Sequence, residues 1–188
     1  WYSFPKYSKP KGKSVLFFGR MNRYKGIECL LELVKRTPDI QYVVAGKADD
    51  SVKETIDALK KLPNVKLDEG VIPYSKMHDY FYNALCTVLP YETATQSGVV
   101  LDAYKHSRPA VAFDVGALGE QIDDGITGYL AKPGDVRQLE IQLRKIIDMP
   151  RKQYEQMCKQ SYKKGLDAYS AKSREIEFLN AIGVEQED

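Results

Sequence analysis

The sequence has no apolar run that approaches the roughly 20 residues needed to span a bilayer. It contains three cysteines, Cys29, Cys86 and Cys158, and two histidines, His78 and His106. Cysteines in odd number and at wide spacing argue against a disulfide framework, and two histidines are too few for a histidine-rich metal site. This usage favours reduced thiols in a cytoplasmic protein.

The sequence also has no large excess of positive or of negative charge. The 188 residues include 28 lysines and arginines against 26 aspartates and glutamates, which gives a formal net charge of +2. A value this close to zero argues against a surface for nucleic acid or for an anionic membrane. With 43% hydrophobic and 29% charged residues, the chain has the composition of a soluble domain that is long enough to bury one sizeable core.

The short motifs of several enzyme classes are absent as well. There is no GxGxxG, no GxxxxGK[ST] and no GxSxG stretch, which argues against the common dinucleotide, P-loop and hydrolase sites. An Asp-x-Asp pair that would hold a divalent metal on a diphosphate is missing too. The adjacent carboxylates at residues 49–50 and 123–124 lie in predicted turns, where neighbouring side chains diverge. We therefore expect neither a metal nor another cofactor.

Short apolar runs alternate with longer helical stretches along the chain. The predicted strands are residues 14–19, 41–46, 64–68, 85–89, 110–113 and 128–131. The predicted helices are residues 27–36, 51–62, 75–83, 98–106, 136–148, 151–169 and 171–182. Because most of these strands are apolar runs rather than alternating ones, they predict a parallel sheet covered on both faces, in a doubly wound, Rossmann-like α/β fold of six strands with an all-helical C-terminal end. In such a fold the ligand lies at the carboxyl ends of the strands.

The chain divides into three predicted parts. Residues 14–169 form the Rossmann-like domain. Residues 1–13, which mix aromatic residues with lysine and proline, are predicted to be a linker from a missing N-terminal domain. Residues 170–188 are predicted to be a C-terminal helix that packs toward that missing domain. Because the chain begins at Trp1 rather than at methionine, we expect it to be a piece of a longer polypeptide.

Two glycines bracket a cationic loop after the first predicted strand. Gly19 and Gly26 enclose Arg20, Arg23 and Lys25, immediately before a helix. Glycines let a ligand approach the backbone closely, and cations near a helix N-terminus favour phosphate. The loop therefore predicts an anion site, with three solvated surface cations as the plainer alternative.

A second loop of this kind follows the fourth predicted strand. Small polar residues precede Gly98, which opens a helix, so the free amides of residues 97–100 would face the crevice together with the positive end of the helix dipole. Asp102 lies one helical turn further and would reach the vicinal hydroxyls of a ribose. The alternative is an ordinary capped helix with a solvated carboxylate. Two such loops at neighbouring strand ends are much harder to attribute to chance.

Taken in order, these loops resemble the C-terminal domain of glycosyltransferase family 4, the group 1 glycosyltransferases of GT-B architecture. The matching stretches are residues 15–26, 42–46, 64–70, 87–104 and 108–135. Residues 109–120 and 124–130 resemble the closing motifs of that family almost residue for residue. The resemblance implies that the chain is the nucleotide-sugar-binding half of a two-domain enzyme.

The resemblance also assigns roles to residues. It implies that Arg20 and Lys25 grip the donor diphosphate and stabilise it as a leaving group, which makes them the catalytic candidates. The donor-binding candidates are Gly19, Ile72, Glu92, Thr95, Gln96, Ser97, Gly98, Val99 and Asp102. In this scheme the amides of residues 97–99 bind the distal phosphate, Asp102 binds the ribose, and Ile72 lies where the family contacts the base.

One position departs from the family pattern. Asp102 matches the second carboxylate of a Glu-x7-Glu motif, but the first would fall at Ala94, and the acidic residue here is Glu92. The local sequence resembles a variant among group 1 enzymes of surface-polysaccharide synthesis. Since the first glutamate touches the transferred sugar in the usual motif, the resemblance leaves the sugar open.

The resemblance implies a retaining glycosyltransferase that moves a sugar from a UDP-, GDP- or ADP-sugar to an acceptor hydroxyl without a metal, in the synthesis of a surface polysaccharide or glycoconjugate. The acceptor site would belong to the missing N-terminal domain, so we expect the isolated chain to be inactive. The expected location is cytoplasmic, and peripheral association with the inner face of the membrane through the missing half stays open. The alternatives are a non-catalytic module that binds a nucleotide or nucleotide sugar, an epimerase of the same architecture, and a purely structural module.

Overall fold

The computed structural model describes residues 12–169 of the chain. The predicted linker therefore lies almost wholly outside the described residues, and its last two positions, Gly12 and Lys13, have no regular secondary structure. The C-terminal helix predicted within residues 170–188 also lies outside the described residues.

Six parallel strands form one sheet, as the sequence predicts. The strands are β1 (Ser14–Phe18), β2 (Tyr42–Gly46), β3 (Val65–Glu69), β4 (Ala84–Leu89), β5 (Ala110–Phe113) and β6 (Gly128–Ala131). Their order across the sheet is β3-β2-β1-β4-β5-β6, and every pair of neighbours is parallel. The inner strands β4 and β5 are almost entirely buried, whereas the edge strand β3 is only partly buried. The predicted fold class is confirmed.

The helices also follow the prediction closely. They are α1 (Ile27–Arg36), α2 (Lys53–Lys60), α3 (Tyr74–Asn83), α4 (Gly98–Lys105), α5 (Leu118–Gln121), α6 (Val136–Ile147) and α7 (Arg151–Tyr169), with short 3-10 turns at Arg23–Lys25 and Asp50–Val52. Helix α1 contacts both α2 and α6, and α4 packs on α7. Two details differ from the prediction: the second helix begins at Lys53, after a 3-10 turn, rather than at residue 51, and the four-residue helix α5 is not among the predicted helices.

The strand order reverses between β1 and β4. From β1 the chain moves outward to β2 and β3, then crosses to the other side of β1 and moves outward again through β4, β5 and β6. In doubly wound sheets the crevice at such a reversal, outside the carboxyl ends of the strands, is the usual place for a ligand. The two loops singled out in the sequence, after β1 and after β4, border this crevice.

A buried arginine ties the end of α3 to the end of α4. Arg108 is fully buried. Its Nε donates to the Phe81 carbonyl (2.9 Å), and its two terminal nitrogens donate to the carbonyls of Tyr82 and His106 (2.6 Å each). These acceptors lie in the last turns of helices, where carbonyl groups lack intrahelical partners. Arg108 thus supplies donors to two helix ends and fixes α4 beside α3.

The two histidines meet along the same seam. His78 Nδ1 of α3 and His106 Nε2 lie 3.0 Å apart, and His106 Nδ1 hydrogen-bonds the Asp102 carbonyl (2.6 Å). The His78 ring also stacks on Tyr82 at 5.4 Å. Burial lowers the pKa of His106 to about 4, so this ring is neutral at physiological pH. These contacts give both histidines a packing role between α3 and α4.

Candidate functional site at the crevice between β1 and β4

The loop after β1 lies directly on the loop after β4. Gly26 ends the Arg23–Lys25 turn with a left-handed backbone (φ 69°), and a Cβ at this position would come within 1.6 Å of the Pro90 carbonyl oxygen. The Glu92 amide donates to the Tyr24 carbonyl at 2.9 Å. Only glycine permits this approach, so Gly26 is required to bring the two loops together.

A second set of backbone contacts fixes the β1 loop to the loop after β2. The Met21 amide donates to the Lys47 carbonyl (2.8 Å), and the Asp49 amide donates to the Met21 carbonyl (3.0 Å). Asn22 is buried and its side-chain oxygen accepts from the Lys25 amide at 3.1 Å. The backbone that carries Arg20 and Lys25 is therefore tied at both ends before any ligand binds.

Arg20 projects from this loop into solvent. Its side chain is 59% exposed, and its Nε lies 3.3 Å from Oδ1 of Asp49. An exposed ion pair of this kind contributes little to stability. Arg20 can therefore exchange Asp49 for a phosphate at small cost, and the guanidinium is suited to a bidentate contact with phosphate oxygens.

Lys25 is a partly desolvated cation held by aromatic rings. Its Nζ lies 3.8 Å from the centroid of the Tyr91 ring and 5.3 Å from that of Tyr24. Burial lowers the pKa of the Lys25 ammonium. Among the residues that the structure describes, no ion pair involves Lys25. The ring faces stabilise the cation without neutralising it, which leaves its charge available to an anion.

The first turn of α4 forms the opposite wall of the crevice. A Cβ at Gly19, at the end of β1, would lie 3.8 Å from Cγ2 of Val99, so the start of α4 faces the end of β1. Amides in a first helical turn have no intrahelical acceptors, and this applies to Gly98 and Val99. Gly98 is exposed, and a Cβ there would meet nothing within 4 Å. The structure thus places free amides and open space beside the cationic loop.

The prediction of a free amide at Ser97 was wrong. The Ser97 amide donates to Oε1 of Gln121 at 3.1 Å, and Ser97 is buried. Its hydroxyl also makes no capping bond to α4. Gln121 lies 24 residues further along the chain, in α5, and nothing in the sequence pattern signals that its side chain reaches Ser97. The free amides of the candidate site therefore start at Gly98.

Asp102 shares a face of α4 with Val99, three residues earlier, which is the spacing of neighbours on a helix surface. It is partly buried, and burial raises the pKa of its carboxyl to about 6, while Lys105 opposes the shift. A carboxylate kept half-desolvated at the rim of a crevice is a common property of binding sites. The contact of Asp102 with ribose hydroxyls stays a prediction.

Replacing Asp102 by asparagine is expected to stabilise the empty protein and weaken nucleotide binding. Because the folded protein holds the carboxyl pKa at about 6, above its ordinary 3.8, the contribution of Asp102 to stability is present below pH 3.8 and lost as pH rises through 6. At pH 7 the free energy of unfolding of the Asp102→Asn variant should be about 1–2 kcal/mol higher than that of the wild type. This difference should disappear near pH 4. Denaturant titrations at both pH values measure it. A variant that is destabilised at pH 7 would contradict the burial argument.

The remaining predicted residues are spread along the same edge of the sheet. Thr95 and Gln96 are exposed in the β4 loop, and Ile72 lies in the loop between β3 and α3, two strands away from β1. The Glu92 side chain lies near α1: the pKa of the Cys29 thiol is raised by burial and then by Glu92. Glu92 itself is exposed.

The position of the first family glutamate is anchored by backbone contacts. The Ala94 carbonyl accepts from the Ala117 amide at 3.0 Å, and a Cβ at Gly116 would come within 1.9 Å of the Ala94 oxygen. The left-handed Gly116 (φ 49°) permits this approach. The β4 loop is therefore fixed on one side by the β1 loop and on the other by the segment that enters α5.

Within the described range, no three His, Cys, Asp or Glu side chains are grouped in a way that could hold a metal ion. No helix in the same part of the chain is both long enough and apolar enough to cross a membrane. A cavity of about 680 Å³ lies away from the crevice, between the Gly125–Tyr129 region and α7, where Met149 and Met157 line it. Its lining carries one charged side chain, Lys152. It therefore has fewer groups that could bind a phosphate than the crevice has.

The fold and the crevice define a Rossmann-like domain with an anion-suited site at its switch point, and the family follows from comparison with known proteins. The sequence matches the family described as Glycosyl transferases group 1 over residues 2–164. Alpha-D-kanosaminyltransferase of Streptomyces kanamyceticus is 27% identical over 144 residues, which cover 72% of this chain and 36% of that protein. The chain belongs to the group 1 glycosyltransferases, has the fold of their C-terminal domain, and spans about a third of the length of this relative. Membership of family 4 within that group stays a prediction.

Two solved structures share the architecture. A mutant of S. aureus TarM, crystallised with UDP, Fondaparinux and alpha-GlcNAc-glycerol, superposes with a TM-score of 0.78 at 18% identity over 97% of this chain and 38% of that one. Anabaena HepE, solved with UDP and glucose, gives a TM-score of 0.76 at 18% identity over 90% of this chain and 48% of that one. At this identity the likeness establishes the fold.

Proposed function

We propose that this chain is the donor-binding half of a glycosyltransferase that moves a sugar from a nucleoside diphosphate sugar to an acceptor hydroxyl. The observation that carries the proposal is the crevice between β1 and β4. It combines two cations, Arg20 and Lys25, with the free amides of Gly98 and Val99. The solved relatives TarM and HepE contain UDP, which makes UDP the first nucleotide to test, ahead of GDP and ADP.

The chemistry of sugar transfer explains why these groups would be needed. When the bond between the sugar and the diphosphate breaks, negative charge develops on the leaving phosphate. Fixed cations and preorganised amides stabilise that charge most where it develops, and they need no reorganisation during the reaction. We propose that Arg20 and Lys25 act on the leaving diphosphate, that the amides of Gly98 and Val99 bind its distal phosphate, and that Asp102 binds the ribose.

The finer features of the reaction belong to the same proposal. We propose transfer with retention at the anomeric carbon, without a metal, in the synthesis of a polysaccharide or glycoconjugate in the cytoplasm. The acceptor and any general base would come from a second, N-terminal domain, consistent with the fraction of its relative that the chain spans. The chain alone would then bind the donor without turning it over.

Calorimetric titration of the chain with UDP, GDP and ADP in the presence of EDTA tests this proposal. Saturable binding of one nucleotide, with an affinity that does not change when Mg²⁺ replaces EDTA, is the expected result. Absence of binding by all three at millimolar concentration would overturn the donor-site assignment. Binding that appears only with Mg²⁺ would overturn the metal-independent part.

A non-catalytic nucleotide-sugar module is the second candidate. It is favoured by one observation: Ala94 stands where the family's sugar-contacting glutamate would fall, and the acidic residue of this loop is Glu92, two positions earlier. The two candidates predict different results for a protein that carries both the donor half and an acceptor domain. If radiolabelled sugar is transferred to an acceptor from the donor that the protein binds, the non-catalytic module is excluded. Tight donor binding without transfer favours the non-catalytic module.

A further inference from the structure

The side chain of Gln121 grips both polar groups of Ser97. Its Oε1 accepts from the Ser97 amide at 3.1 Å, and its Nε2 donates to the Ser97 carbonyl at 3.4 Å. Gln121 is 8% exposed and Ser97 is 2% exposed, so these contacts lie beneath the surface of the crevice. Ser97 immediately precedes α4, whose first amides form the candidate phosphate site.

Gln121 is itself anchored to the last turn of α4. The Tyr104 hydroxyl donates to the Gln121 carbonyl at 2.9 Å and is hydrogen-bonded to the Thr127 hydroxyl at 2.7 Å. Tyr104 is fully buried. The backbone of Gln121 is therefore attached to one point of α4 while its side chain is attached to the residue before the helix, which fixes the start of α4 relative to its body.

The planarity of the peptide group transmits this contact to Gly98. In a trans peptide, the carbonyl of Ser97 and the amide of Gly98 lie in one plane and point in opposite directions. Because Gln121 holds the Ser97 carbonyl toward the protein interior, the Gly98 amide is directed away from Gln121. Gly98 itself is exposed, and a Cβ there would meet no atom within 4 Å.

We propose that Gln121 is a positioning residue for the distal phosphate of the donor. It makes no contact with the ligand. It fixes the Ser97–Gly98 peptide, so that the first amides of α4 point into the crevice before the nucleotide arrives and the ordering of this loop does not oppose binding. This inference rests on the proposed donor site, and it adds a residue that acts through the backbone.

Replacing Gln121 by methionine tests the role, because methionine has a similar length and cannot form either contact. The Gln121→Met variant is expected to bind UDP about tenfold more weakly, as one misaligned donor to a charged group would cause, and to bind UMP, which lacks the distal phosphate, within about twofold of the wild type. Calorimetry on the full chain measures both. If GDP or ADP is the nucleotide that binds, the same pair of di- and monophosphate is used.

Gln142→Met is the matched control. Gln142 is also 8% exposed, and its Nε2 donates to the Leu130 carbonyl at 2.7 Å, away from the crevice. This variant loses a buried glutamine contact of the same kind and should bind UDP as the wild type does. Gln121→Leu serves as a second variant and should show the same pattern if Gln121→Met does not fold.

The outcomes separate this inference from the proposed function. A wild-type chain that binds none of the three nucleoside diphosphates overturns both. A wild type that binds UDP together with Gln121 variants that bind it equally well overturns the positioning role alone. Equal losses for UDP and UMP also overturn it, because a purely structural defect would not distinguish the two ligands.

Discussion

Replacing Arg20 and Lys25 together by alanine is expected to weaken nucleoside diphosphate binding by at least about 100-fold while the domain stays folded. Each side chain is predicted to donate charge-assisted hydrogen bonds to the diphosphate, and such bonds contribute about 1.5–3 kcal/mol each. The effect on stability should be small, because the ion pair of Arg20 is exposed and Lys25 is held without an acidic partner among the described residues. In the two-domain enzyme that we propose, the rate of turnover should also fall, beyond the loss in affinity, because negative charge develops on the leaving group in the transition state.

Arg23→Ala is the matched control for this pair. Arg23 belongs to the same loop, its side chain is 75% exposed, and its Nε lies 3.8 Å from Glu28 on α1. It carries the same charge as Arg20, but the family resemblance assigns it no contact with the diphosphate. Its removal should therefore change affinity by less than about threefold, through the long-range electrostatic field alone. An Arg23→Ala variant as defective as the double variant would show that the loop attracts anions only by net charge, and the assigned roles of Arg20 and Lys25 would then be wrong.

The Arg108→Ala variant is expected to lose about 3–5 kcal/mol of unfolding free energy. The substitution leaves carbonyl groups at the ends of α3 and α4 without their donor, and a buried acceptor without a partner costs about 1–3 kcal/mol. It also opens a cavity in place of one of the largest fully buried side chains of the domain. A loss of this size is a large fraction of the stability of an ordinary domain.

Denaturant unfolding followed by circular dichroism measures this loss, with Arg151→Ala as the control. Arg151 lies at the start of α7, is 85% exposed and pairs with Glu155 at 3.1 Å. Its removal should change stability by less than about 0.5 kcal/mol, as for other exposed ion pairs. If the unfolding free energy of Arg108→Ala lies within about 1 kcal/mol of the wild type, the helix ends find other donors. The Arg108 hydrogen bonds would then not be what holds α3 to α4.

The elements of this fold were largely predictable because their signals are local. Most strands are short apolar runs, and β1, β2 and β4 end at or just before a glycine or proline. Helices α1 and α6 show apolar residues at helical spacing, so their positions also follow from the sequence alone. The parallel, doubly wound arrangement followed from the same pattern. Helix α5 was missed because it has four residues, which is too few to show a period.

The site was predictable where it depends on the loops and not where it depends on distant partners. The cationic residues and the glycines in the loops after β1 and β4 are recognisable from the local sequence, and the sheet order places these two loops side by side. The hydrogen bond from the Ser97 amide to Gln121 joins residues 24 positions apart. The hydrogen bond from Arg108 to the end of α3 joins residues 27 positions apart. Such contacts depend on the tertiary structure, and no spacing in the sequence signals them.

Amide chemical-shift mapping of the isotope-labelled chain during titration with UDP tests the central claim most directly, because it locates the ligand. We expect the largest shifts at Gly98, Val99 and Lys25, followed by Asp102, with little change along the cavity between the Gly125–Tyr129 region and α7. GDP and ADP are titrated next if UDP gives no shifts. Shifts concentrated at Met157 and its neighbours in that cavity, or none with any of the three nucleotides, would contradict a donor site at the crevice between β1 and β4.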